Sequence, residues 1–301
     1  MRLLLWALTR TPLPLLYAYG RVIDFFLFHV FRWRRDQVVG DIALAFPEKS
    51  ANERARILRD SYRNVADVAM EAIWSYGASA DSLRHRVAFD DHQIIDRAVA
   101  AKQSVVLLAP HFCNWEWLLS AGGATFELPI DAVYQTVKVK SVDRYLRDAR
   151  TRFGGKPIPQ DDFVYELMNR AATPRGYALI ADQTPPRDEK KHWTLFLNRD
   201  TAFFVGAEKI ARFLDAPVLY VDMRRVRRGR YAVHFIPLAE PPYGVGEDRY
   251  DYSPIMEAFA RQLENAIRAS PADWLWLQKR WKYPKTANGR PAATPPAGRT
   301  Q

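Results

Sequence analysis

The sequence predicts an α/β domain whose sheet is largely parallel or mixed, and two observations carry that reading. Short apolar runs of strand length recur at Val105 to Leu108, Ala132 to Tyr134, Tyr177 to Ala181, Val218 to Val221 and Tyr231 to Ile236. Helical patterns stand between them, near Val142 to Phe153, Phe163 to Ala172 and Val205 to Leu214. Strands alternating with helices of this length form crossover units, and such sheets gather their active sites at strand ends.

The elements before this alternation have a different character. Leu3 to Phe31 is dominated by Leu, Phe, Tyr, Val and Ala but is interrupted by Arg10, Arg21, Asp24 and His29, with Pro12 and Pro14 between. Its cleanest piece, Leu13 to Phe31, reaches spanning length if Arg21 and Asp24 pair at i,i+3 spacing. Arg32, Arg34 and Arg35 follow, a basic flank that argues for a cytoplasmic body. Membrane association is expected, by spanning or by lying in the interface as an amphipathic helix. No clean apolar stretch with a small-residue cleavage site marks a secretory signal. Glu53 to Tyr76 then places Ile57, Tyr62, Val65, Val68, Ala69, Ala72 and Ile73 on one helical face, which predicts a long amphipathic helix.

Two segments break the rhythm. Thr184 to His192 (TPPRDEKKH) is charged and aperiodic and is expected to be a mobile loop after a strand; 286–301, rich in Pro, Ala, Gly and Thr, has no core-forming pattern and is expected to be disordered. The division that follows is an anchor over 1–35, a folded domain over 36–285 and a tail over 286–301.

A formal net charge of +10 in 301 residues points to anionic partners: nucleic acid, a membrane surface, or an acidic protein or substrate. Cys113 is the single cysteine, which excludes an internal disulfide framework and any cysteine-based zinc cluster and fits a reducing compartment. His29, His85, His92, His192 and His234 show no convergent metal-ligand spacing, so no metal is expected. No basic-aromatic nucleic-acid module, P-loop or dinucleotide fingerprint is present.

The chemistry concentrates in Ser104 to Leu119, SVVLLAPHFCNWEWLL. Pro110 confines Ala109 to extended backbone, so His111 is expected at a strand-to-helix turn, within neither element. On a continuous helix the five-residue separation of His111 and Glu116 would turn them about 140° apart, whereas a turn lets them converge. A carboxylate on one imidazole nitrogen fixes the tautomer and leaves the other nitrogen to take a proton from a hydroxyl. His111 is therefore expected as general base and Glu116 as its orienting carboxylate. The alternative is a structural histidine satisfied by a neighbouring acid.

His111 and Glu116, with Asn114, Trp115 and Trp117 around them, resemble the H-x4-D/E motif of glycerolipid acyltransferases, in the Asn-Trp-Glu form of the bacterial lipid A lauroyl/myristoyl acyltransferases. Further segments resemble that family in the same order: Val39 to Glu48 with Ala-Phe-Pro-Glu at 45 to 48, Arg150 and Arg152 before Gly154, Asp182-Gln183 after a strand, Phe196 to Ala211, and Trp274 to Lys282 (WLWLQKRWK). A lone H-x4-E occurs by chance; this ordered series over about 38 to 284 does not. Two positions depart: Asn198 stands where Gly is common and Gln278 where His is common.

The resemblance implies an αβα sandwich behind N-terminal membrane-associated helices, with 36–285 as the acyltransferase domain on the cytoplasmic face of a cell inner membrane. It implies acyl-acyl carrier protein as donor substrate, no further cofactor, and an acceptor hydroxyl on a 3-hydroxyacyl chain of an anionic glycolipid, a lipid A precursor. Asn114, Arg150, Arg152, Asp182 and Gln183 are the substrate-binding residues it suggests. The residues leave other readings for some of these: Arg150 and Arg152 as a solvated helix face, Asp182 as a partner for Arg152, and Trp274, Trp276 and Trp281 as core or interfacial belt. Rival functions are acyl transfer to a lysophospholipid, ornithine lipid or other glycolipid, hydrolysis, and a non-enzymatic basic protein binding membranes or nucleic acid. No Gly-x-Ser-x-Gly elbow supports a serine hydrolase.

Overall fold

The computed structural model of the chain describes residues 7–136, 140–243 and 252–285. Among them a seven-stranded sheet runs in the order β1 (Val87–Phe89), β9 (Arg230–Ala239), β8 (Val218–Arg227), β2 (Val105–Ala109), β5 (Gly176–Ile180), β3 (Ile130–Tyr134), β4 (Lys156–Pro159). From β8 to β4 neighbours are parallel, and the β8–β9 pair is antiparallel, so the sheet is mixed. β2 is buried at every residue, as expected of a central strand covered on both faces.

Crossover direction decides which helix covers which face. β2 reaches β3 through α6 (Trp115–Thr125), and β3 reaches β4 through α7 (Lys140–Arg150), both moving toward the β4 edge. β4 returns to β5 through α8 (Phe163–Arg170), and β5 reaches β8 through a connection containing α9 (Gly206–Leu214). Parallel crossovers are right-handed, so opposite directions put α6 and α7 on one face and α8 and α9 on the other. Ring contacts agree: Trp117 of α6 meets Tyr231 edge-on at 5.8 Å, and Phe163 of α8 meets Tyr177 at 6.3 Å. The α/β prediction is borne out, with helices around a mostly parallel sheet.

The long amphipathic helix is α3 (Ala51–Ser75), begun by a capping box in which Ser50 and Glu53 satisfy each other's backbone N–H. Along it lies α1 (Leu13–Phe25), which buries Leu13, Leu16, Tyr17 and Gly20, one stripe at 3.6-residue spacing. A Cβ at Gly20 would come within 3.0 Å of Met70, so the small residue permits the close approach. The other face of α1 exposes Leu15, Tyr19, Val22 and Phe25. Leu13–Val30 is long and apolar enough to cross a membrane, and only 28% of it is buried. Arg21 stands 3.8 Å from the buried Asp67 of α3, while its charge also acts on Asp24 through space.

Two elements emerge that the sequence reading did not resolve. β6 (Lys191–Phe196) and β7 (Arg199–Phe204) form a hairpin whose turn, Leu197-Asn198, has φ of 49° and 64°. Asn tolerates this left-handed backbone, which accounts for its standing where Gly is common, and its Nδ2 donates to the carbonyls of Leu44 and Ala45. α10 (Pro254–Ala269) buries Ile255, Phe259, Leu263 and Ile267 on one face. The loop expected over Thr184 to His192 ends at Lys190, since Lys191 and His192 begin β6. It is tied to the C-terminal block through the Thr184 hydroxyl, which donates to the carbonyls of Lys279 (3.0 Å) and Arg280 (2.6 Å). The tail expected over 286–301 lies outside the described residues.

Candidate active site

β2 and β5 are adjacent and parallel, so Ala109-Pro110 and Ala181 end side by side at the same edge. The residues that follow, His111 and Asp182, are consequently neighbours although 71 positions apart. His111 Nδ1 and Asp182 Oδ1 are 2.7 Å apart, with Asp182 fully buried and the His111 side chain 13% exposed.

The turn carrying His111 is pinned from several sides. The Leu275 N–H donates to the His111 carbonyl, and the Cys113 N–H to the Asp273 carbonyl. Cys113 takes φ of 50°, reversing the chain into α6, and burial raises its thiol pKa well above the ordinary range. It is a packed thiol in a turn.

Asp182 is the orienting carboxylate of His111, in place of the Glu116 that the spacing suggested. Glu116 lies one turn into α6 and pairs with Arg150 of α7, whose Nη2 donates to both carboxylate oxygens at 2.9 and 3.2 Å. Its charge still acts on His111 through space. Burial alone would lower the His111 pKa, but Asp182, with Glu116 assisting, holds it above the ordinary value. Burial likewise opposes ionisation of Asp182, yet the charge of His111 and hydrogen bonds from His111 and Trp274 hold it at about 2. Trp274 Nε1 donates to Asp182 Oδ2 at 2.8 Å and Gln278 Nε2 at 3.1 Å. An amide at 278 thus supplies a donor at the position where His is common.

The expected catalytic and substrate-binding residues divide in two. His111, Glu116, Arg150 and Gln183 line a cavity of about 1270 Å³. Asn114, Arg152 and Asp182 are absent from its wall. Asn114 is fully buried, caps α6 by accepting from the Trp117 N–H, and donates to Glu71 at 2.7 Å. Arg152 donates to the carbonyls of Ser75, Tyr76 and Ala78 at the end of α3, satisfying helix-end acceptors and not pairing with Asp182. Trp274 and Trp276, each 1% exposed, are core.

Some participants carried too little sequence signal. Glu71, near the C-terminal end of α3, is fully buried and accepts from Tyr17 (2.6 Å), Tyr231 (2.6 Å) and Asn114; burial outweighs these hydrogen bonds and raises its pKa. It joins α1, the sheet and the His111 turn. A carboxylate inside a helical stripe of apolar residues was the available sign, since it must find partners once buried. Arg34, Lys209, Lys279 and Lys282 also line the cavity. No group of His, Cys, Asp and Glu among the described residues could hold a metal ion.

An imidazole held through Nδ1 by a carboxylate, with a guanidinium and apolar residues lining the same cavity, can deprotonate a hydroxyl and stabilise an oxyanion on a substrate with a hydrocarbon part. Comparison with known proteins points to lipid acyltransferases. The sequence model described as bacterial lipid A biosynthesis acyltransferase matches residues 2–283. The chain is 21% identical over 281 residues to the lipid A biosynthesis palmitoleoyltransferase of Escherichia coli (strain K12), covering 92% of this chain and 88% of the relative. The same figures hold for the lipid A biosynthesis acyltransferase of Shigella flexneri. A phosphatidylinositol mannoside acyltransferase of Mycobacterium tuberculosis (strain ATCC 25618 / H37Rv) is 28% identical over 199 residues, 64% of this chain and 58% of that protein.

Proposed function

The chain belongs to the bacterial lipid A biosynthesis acyltransferase family, and from that premise we propose that it transfers an acyl chain from acyl-acyl carrier protein to the hydroxyl of a 3-hydroxyacyl chain on a lipid A precursor. One observation carries the reading: His111, held through Nδ1 by a buried carboxylate, lines a large and mostly apolar cavity.

In the proposed reaction His111 Nε2 removes the proton of the acceptor hydroxyl as its oxygen attacks the thioester carbonyl. The tetrahedral oxyanion is stabilised by Arg150, whose hydrogen bonds to Glu116 all run through Nη2, leaving Nε and Nη1 as donors. Collapse breaks the carbon–sulfur bond, and the imidazolium returns its proton to the departing thiolate. The products are an ester and a free thiol. Asp182 is a positioning residue for His111, as Glu116 is for Arg150.

The cavity-lining cations Arg34, Lys209, Lys279 and Lys282 suit an acidic carrier protein or a phosphorylated acceptor. The outward apolar face of α1 suits a lipid surface, with the catalytic body on the cytoplasmic side of the inner membrane. A second acceptor class, a mannosylated phosphoinositide, is favoured by the mycobacterial relative.

The test offers purified protein a panel of acyl-acyl carrier proteins with a lipid A precursor, and in parallel a phosphatidylinositol mannoside, and reads ester formation by mass spectrometry. Acylation of the lipid A precursor, lost in His111→Ala, is the expected result. Acylation of the mannoside alone would move the acceptor assignment, and no ester from any pairing would reject acyl transfer.

A further inference from the structure

The cavity at His111 extends to both faces of the sheet. Residues opposite one another on parallel strands share a face, and successive residues alternate. Leu107, Ala178 and Ala132 are register partners in series, so they share the face covered by α6. Leu179, partnered with Leu108, and Val133, one step beyond Ala132, belong to the opposite face. All five line the same cavity, which therefore passes around the strand ends beside His111 and Gln183.

The two lobes differ in how they are closed. The α6-side lobe ends against Phe126, Phe235 and Phe89, whose ring centroids lie 4.8 to 6.0 Å apart. On the opposite face the cavity is lined by Val164 and Met168 of α8, Ile210 and Phe213 of α9, and Leu179 and Val133 of the sheet. These pairs stand at i,i+4 and i,i+3, so each helix presents one apolar stripe to the gap. Val164 and Met168 are each 66% exposed and Phe213 56%. This second lobe is thus a groove that opens to the outside at Val164, Met168 and Phe213 above a buried Ile210, with Lys209 of α9 also on its wall. Contiguous exposed apolar surface of this kind marks a place where something apolar binds. The whole cavity also exceeds the roughly 300–1,000 Å³ of a pocket for one drug-sized ligand.

We infer that the groove between α8 and α9 seats an acyl chain of the acceptor lipid while the α6-side lobe holds the donor chain, so that two chains meet at His111 from opposite faces of the sheet. The inference rests on the acyl-transfer reading above. A blind lobe suits a chain that enters methyl end first and leaves its carbonyl at the mouth. An open groove suits a chain attached to a bulky anionic head group, which must be laid in from the side, with the head group against the cavity-lining cations.

Photolabelling of the full-length His111→Ala protein in mixed micelles tests this without turnover. The probes are an S-acyl pantetheine and a lipid A precursor, each with a diazirine near the methyl end of one chain. The expected result is labelling of 115–126 by the thioester and of 163–170 and 206–214 by the lipid. Both chains labelling one face, or the lipid probe sparing α8 and α9, overturns the inference. A kinetic arm uses the exposed positions: Met168→Glu and Phe213→Glu should raise the acceptor KM at least tenfold and move the donor KM less than twofold, and the reverse pattern also overturns it. The expected labelling in a protein whose unaltered form makes no ester would reject acyl transfer and leave the chain seat standing.

Discussion

Replacing Asp182 by Asn removes the charge that holds the His111 proton affinity up and puts an amide where a carboxylate accepted from His111, Trp274 and Gln278. Imidazole orientation is then no longer enforced, and kcat is expected to fall by about 10³-fold or more, the scale of losing the orienting acid of a histidine base. The base works only when neutral, and its pKa is raised in the native protein. The acid limb of kcat/KM therefore lies above pH 6.5 in the unaltered enzyme and should move to lower pH in the variant. Stability follows a separate window. Asp182 titrates at about 2 when folded against an ordinary 3.8, so its stabilising charge is fully present above about pH 4 and is lost as pH falls through 2. The Tm difference between the two proteins should accordingly shrink over that interval, which calorimetry can follow. Glu116→Gln, by contrast, leaves His111 bonded to Asp182 and frees Arg150; it should lower kcat while shifting the acid limb less than Asp182→Asn.

At the scale of elements, Glu71 is the place where α1, α3, β9 and the His111 turn are tied together. Glu71→Leu strands two tyrosine hydroxyls and the Asn114 amide in the interior, so a loss of about 3–5 kcal/mol is expected in denaturant unfolding. Glu71→Gln keeps an acceptor and the tyrosine hydroxyls can turn to meet its NH2, so a loss nearer 1–2 kcal/mol is expected. Equal losses in the two variants would contradict a role through these hydrogen bonds. The hairpin of β6 and β7 shows the same economy: Asn198 tolerates the turn and braces it against the end of α2 (Arg35–Ala45).

For the whole molecule the consequential asymmetry is that α1 is apolar on both sides but buried on one. Val22 and Phe26 are 55% and 45% exposed, so Val22→Asp with Phe26→Asp should leave the unfolding midpoint within about 0.5 kcal/mol of the unaltered protein, as for surface substitutions generally. The same double change should abolish co-sedimentation with anionic vesicles, because buried apolar area drives interfacial binding. Retained vesicle binding would place the lipid-facing surface elsewhere. Removing α1 altogether is a different experiment, since Tyr17 would be lost from Glu71 and the site itself would be disturbed.

The sequence by itself determined the alternation of strands and helices, the long helix of α3, the break at Pro110 that releases His111, and the family series from Val39 to Lys282. These are local matters of periodicity, proline geometry and motif order. Only the tertiary structure decided which acid meets His111. Glu116 is near in sequence, but Asp182 is nearer in space because β2 and β5 are adjacent and end together. The same holds for Asn114 and Arg152, whose polar ends are consumed by Glu71 and by the end of α3, and for a cavity that uses both faces of one sheet. Spacing along a chain says what a residue can reach within its own turn; strand order and crossover direction set everything it meets beyond that.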